Sequence, residues 1–136
     1  MKCAREAVKL IKNYIDKGIS FNQETTLSGR SIINNIKRAK QKGYTIILNY
    51  IGIDTPETAK ARVDLRVRKG GHVIPHEDIE RRYFESLENL NRIIEICDEI
   101  KIYDNTDIFK LIACIEQGEL VWKDDTLPEW IKTIIS

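Results

Sequence analysis

The chain has 136 residues, 42% hydrophobic and 32% charged, and 22 Lys and Arg against 21 Asp and Glu leave a formal charge of +1. That composition predicts one soluble globular domain over residues 1–136, and the even balance argues against a dedicated nucleic-acid binder. No run approaches the roughly 18 apolar residues of a membrane span, the first residues lack a signal-peptide core, and the scattered Cys3, Cys97 and Cys114 suit a reducing cytoplasm.

Ala4, Val8, Ile11 and Ile15 recur at helical spacing and predict a first helix ending at Gly18. The alternation of Ile19 to Glu24 predicts a strand. It runs into the polar turn Thr25-Thr26-Leu27-Ser28-Gly29-Arg30, where Ser28 or Ser31 can cap the next helix. That helix carries Ile32, Ile36 and Ala39 on one face and stops at Gly43. Thr45 to Ile51 is the strongest strand, apolar enough to be covered on both faces of a parallel sheet. Helix, strand, helix, strand in that order is a βαβ pattern, hence an α/β layer architecture.

Thr55-Pro56-Glu57 is a helix start, with a capping threonine, proline at N1 and an acid in the first turn. Ala59, Val63 and Val67 form its stripe, and Gly70-Gly71 ends it. Pro75 opens the longest helix, whose apolar face runs through Ile79, Tyr83, Leu87, Leu90, Ile94 and Cys97. A short strand follows at Lys101 to Asp104. Ile108 to Trp122 reads as a hairpin turning at Gln117-Gly118, and Leu127 to Trp130 begins a last short helix. Cys97 and Cys114 lie in apolar runs and are expected as small buried hydrophobes.

Two stretches can carry chemistry. Glu24-Thr25-Thr26-Leu27-Ser28-Gly29 lies where a predicted strand meets a helix N-terminus, the place where α/β sheets bind ligands. A carboxylate there accepts hydrogen bonds from a sugar or alcohol, and helix N–H groups favour anions. A plain capped turn has the same residues. Arg62, Arg66 and Lys69 share a helical face, and Gly70-Gly71-His72 leads to Arg81 and Arg82 on the next helix. Such arginines can clamp phosphate. They fit equally a solvated face, where the i,i+4 pairs Glu77–Arg81, Arg81–Glu85 and Glu88–Arg92 contribute about 0.3–0.5 kcal/mol each. His72 and His76 complete no metal-ligand spacing, so no metal site is assigned. The sequence contains no G-x-x-x-x-G-K followed by Ser or Thr, the loop that cradles nucleotide phosphates.

The ordered set of short motifs resembles the zeta-toxin-like P-loop kinases. It comprises Phe21 to Gly29, Gly43-Tyr44, Tyr50 to Asp54, Arg62-Val63, Arg66-Val67 and Gly70-Gly71-His72-Val73-Ile74-Pro75. Ile79 to Tyr83, Ser86-Leu87, Asn89-Leu90 and Tyr103-Asp104-Asn105-Thr106 complete it. The resemblance implies a partial P-loop kinase fold of class α/β: a parallel sheet flanked by helices, a C-terminal β-hairpin, and the first strand and phosphate loop absent. It implies ATP-dependent phosphorylation, with Mg, of a small acceptor, a nucleotide-sugar such as UDP-N-acetylglucosamine. Glu24, Thr25 and Thr26 would bind the acceptor, and Arg66 and Arg82 would act catalytically in a lid. Arg81, Asp104 and Asn105 would contact the nucleotide.

In such kinases the phosphate loop and an Asp acting on the acceptor hydroxyl precede the matching region. The domain is therefore expected to be truncated at its N-terminus and inactive alone, since phosphoryl transfer depends on positioning and electrostatics. Loss of an interior strand would leave sheet edges that invite a rearranged sheet or self-association; an antitoxin is the other expected partner. The alternatives are a non-catalytic nucleotide-sugar-binding module and the complementing half of a split kinase.

Overall fold

The computed structural model describes residues 2–135, with side chains from residue 10 onward. Helix α1 (Lys2–Lys17) buries Ile15; Ala4 and Val8, expected on the same face, and Cys3 lie outside the described side chains. The segment that follows is extended but is no strand. Ile19 N–H closes back on Tyr14 O at 3.0 Å as the end of α1, and Phe21 packs between Tyr14 and Tyr44. Alternation was read there as a sheet signal, but its apolar member faces an aromatic cluster. Tyr44 secures the segment by donating its hydroxyl to Tyr14 O (2.6 Å) and Ile19 O (2.8 Å).

Helix α2 (Ser31–Gln41) buries Ile33 and Ala39 and ends before Gly43, as its sequence predicts. Its expected serine cap is absent: Arg30 holds the N-cap position without a side-chain hydrogen bond. Ser28 instead pairs its hydroxyl with Thr26 at 2.7 Å. Strand β1 (Ile47–Gly52) leads to helix α3 (Pro56–Arg68), where Thr55 caps by accepting the Thr58 N–H and Pro56 occupies the first turn. Helix α4 (His76–Ile93) packs against α3 as a hairpin, tied by Lys60–Glu80 and His76–Asp64 pairs.

Strands β2 (Glu99–Asp104), β3 (Lys110–Glu116) and β4 (Glu119–Lys123) complete a sheet of order β1-β2-β3-β4. Only β1 and β2 are parallel; β2, β3 and β4 alternate in direction, so the sheet is mixed. The β3–β4 hairpin turns where predicted, with Gln117 at φ 52° and Gly118 at φ 81°, the paired positive values a tight two-residue turn requires. A short α5 (Glu129–Lys132) follows Pro128.

One sheet face, through Tyr50, Ile100, Ile102, Ala113 and Ile115, joins Ile33, Leu90, Ile93 and Ile131 in the core. Cys97 is buried with them, and burial pushes its thiol up to about 11. The other face is not covered as the apolar run of β1 suggested. Ile47 and Ile51 are 61% and 55% exposed, and Cys114, between Lys101 and Trp122 in the ladder, is only half-buried. In the order β1-β2-β3-β4, β1 has a neighbour on one side only and is an edge strand among the described residues.

Candidate functional site

The carboxyl end of β1 is built for close packing. A Cβ on Gly52 would stand 2.3 Å from the Trp130 ring, so only glycine lets α5 sit against the strand. Trp130 also packs on Tyr50 and donates its indole N–H to Asp104 Oδ1 at 3.1 Å. Asp104 accepts a second bond from Thr106 (2.7 Å), Asn105 N–H reaches Gly52 O (2.8 Å), and Arg62 donates to Thr106 O (2.6 Å). In this structure the Asp104-Asn105-Thr106 turn closes the ends of β1 and β2 and binds them to α3.

Beside the outer edge of β1 runs a groove of about 750 Å³, whose other wall is the extended segment Phe21 to Leu27. Glu24, Thr25 and Thr26 all line it. At the end of β1 a pocket of about 190 Å³ opens between the strand and the α3–α4 hairpin, lined by Arg82, Tyr83, Ser86 and Gly52. Thr26, Tyr50, Ile51 and Ser86 border both spaces, so the two are neighbours that share a wall. The sequence-predicted residues divide accordingly. Glu24, Thr25 and Thr26 line the groove and Thr26 and Arg82 line the smaller pocket, whereas Arg66, Arg81, Asp104 and Asn105 line neither space.

Arg81 is engaged elsewhere. It pairs with Glu85 Oε1 at 3.3 Å and Asp78 Oδ1 at 3.5 Å, and the Glu85 bond and charge raise its pKa further. Arg66 lies exposed on α3, and its carbonyl accepts the Gly71 N–H at 2.8 Å where the helix ends. Tyr50 and Ser86 went unassigned in the sequence, although both stand at the junction with hydroxyls 2.9 Å apart. Burial raises the Tyr50 phenol, opposed by the Ser86 bond, so it stays a protonated donor at neutral pH. Tyr83 is pushed up to about 12, mainly by burial, and donates to the Ile53 and Asp54 carbonyls at 2.9 Å. The available signal was a tyrosine at an inward position of the strongest strand facing a helix serine.

The turn itself is held from below. Leu27 is 3% exposed and adopts φ 54°, the left-handed region, and its N–H donates to Thr25 Oγ1 at 3.0 Å. The Gly29 N–H is taken by Glu85 Oε2 at 3.1 Å, so it is not free for an anion.

The Zeta toxin family model matches residues 2–115. This chain belongs to the Zeta toxin family. That family is a kinase-like, nucleotide-binding group. An uncharacterised protein of Haemophilus influenzae (strain ATCC 51907 / DSM 11121 / KW20 / Rd) is 44% identical over 79 residues, which are 58% of this chain and 56% of that protein. The chain thus matches little more than half the length of that relative. No solved structure matches.

The family's kinase-like, nucleotide-binding character suggests ATP and Mg in general. Among the described residues no three His, Cys, Asp or Glu side chains converge as a metal cluster, so no residue is assigned to Mg and no step is derived through it.

Proposed function

We propose that this chain forms the acceptor side of a phosphoryl-transfer site in the Zeta toxin family. The acceptor is a nucleotide-sugar of the UDP-N-acetylglucosamine class, held in the groove along β1. The observation carrying this reading is that Thr26, which also lines the groove, and Arg82, 56 positions later in sequence, line one pocket at the carboxyl end of β1. Ligands of α/β folds bind at such ends.

Along the groove Glu24 accepts hydrogen bonds from sugar hydroxyls, and Thr25 and Thr26 orient them. The Tyr50 and Ser86 hydroxyls give the junction a donor and acceptors, and the guanidinium of Arg82 meets the phosphate being transferred. ATP, when bound, supplies the phosphoryl group. The 136 residues contain no glycine-rich phosphate loop, and backbone and lysine contacts to the phosphates provide much of the charge stabilisation in such transfers. By themselves, therefore, these residues bind acceptor without phosphorylating it. The purified chain, mixed with radiolabelled ATP and UDP-N-acetylglucosamine, is expected to leave the sugar unlabelled. Labelling at ordinary kinase rates would sink this part of the proposal.

A further inference from the structure

Among the described residues Asn89 is the one polar side chain buried in the core, at 2% exposure. Its Nδ2 donates to Leu27 O and to Gly29 O, each at 2.9 Å, which uses both amide hydrogens. Its Oδ1 accepts from Arg92 at 3.3 Å. One turn earlier on α4, Glu85 Oε2 accepts the Gly29 N–H at 3.1 Å. One face of α4 thus grips three backbone atoms of the turn, at the left-handed Leu27 and at Gly29 just after it.

The grip reaches the groove through covalent geometry. With Leu27 fixed, its N–H holds Thr25 Oγ1 at 3.0 Å, and Thr26 Oγ1 stands 2.7 Å from Ser28 Oγ. The buried amide is tolerated because its hydrogen bonds are made, and an apolar residue at position 89 would take this donor from the Leu27 and Gly29 carbonyls. What Asn89 provides is the conformation of the turn.

We propose that Asn89 and Glu85 are positioning residues: they touch no ligand but set the geometry in which Glu24, Thr25 and Thr26 meet the acceptor. The inference rests on the reading of that groove as the acceptor site.

The test uses the full chain, with UDP-N-acetylglucosamine titrated calorimetrically and hydrogen exchange followed at the Gly29 amide. Glu85→Ala removes the acceptor for that N–H and is expected to weaken binding about fivefold or more and to speed its exchange. Glu85→Gln keeps a carbonyl oxygen there and should restore binding to within about twofold, which a general loss of stability could not do. Asn89→Asp sets an oxygen against two carbonyls and should weaken binding about tenfold. The positioning role falls if Glu85→Ala binds as tightly as the unsubstituted chain, or if Glu85→Gln is as weak as Glu85→Ala. Failure of the unsubstituted chain to bind would overturn the acceptor reading, and the positioning role with it.

Discussion

Leu27 is a leucine in a conformation that costs a non-glycine residue about 1–2 kcal/mol. Its side chain is buried in the core, and fully burying a leucine contributes roughly 1.5–3 kcal/mol, enough to offset the strain. This turn therefore keeps a leucine where a glycine would relax the backbone but release the anchor. Its polar neighbours stay exposed and point to ligand chemistry. Glu24→Ala removes a charge-assisted hydrogen bond of about 1.5–3 kcal/mol and should weaken UDP-N-acetylglucosamine binding roughly ten- to a hundredfold. On the proposed roles, Arg82→Ala should leave acceptor affinity within about twofold. Titration of both variants measures the split, and equal losses would contradict the assignment of roles.

Among the elements, those with strong local chemistry were legible in the sequence. Thr55-Pro56-Glu57 starts α3, Gln117-Gly118 turns the hairpin and Pro128 precedes α5, because caps, prolines and positive-φ turns act over a few residues. The strand expected at Ile19 to Glu24 was not formed, since alternation cannot tell a sheet face from an aromatic cluster around Phe21. The βαβ unit expected between Ile19 to Glu24 and Thr45 to Ile51 lacks its first strand; the one parallel pair is β1 with β2, the other pairs are antiparallel, and one face of β1 stays exposed despite its apolar run. Asp98 was missed altogether, as its partners lie on α2, just before β1 and in the β3–β4 turn. It accepts from Lys40 Nζ at 2.6 Å, from Ile46 N–H at 2.7 Å and from Gln117 at 3.5 Å.

The Lys40 bond, then the Ile46 N–H, hold the Asp98 carboxyl below its ordinary value. A depressed carboxylate contributes stability above the unfolded pKa of about 3.9, and loses it as pH falls through the lower folded value. Asp98→Asn should accordingly lower the melting temperature at pH 7, with the difference from the native chain shrinking below about pH 4. A gap that persists undiminished into acid would show that the charge is not what Asp98 contributes.

At the scale of the molecule, the sheet buries one face under α2, α4 and α5 and turns β1 outward as an edge beside the groove. The motifs that carry family membership collect around that edge: the Thr25-Thr26 turn on one side, the α3–α4 hairpin with Arg82 beyond its end. Of the residues that motif order singles out, Glu24, Thr25 and Thr26 line the groove and Arg82 lines the pocket at the end of β1, while Arg66, Arg81, Asp104 and Asn105 line neither. Arg81 was not separable from Arg82, because adjacent arginines on one helix differ only in which way they face, and Glu85 and Asp78 draw Arg81 aside.

The measurement that bears most directly on this account is a calorimetric titration of the purified chain with UDP-N-acetylglucosamine, repeated on Glu24→Ala. Saturable binding that the substitution sharply weakens is the predicted result. Absence of binding, or binding that the substitution leaves unchanged, would contradict an acceptor site in the groove along β1.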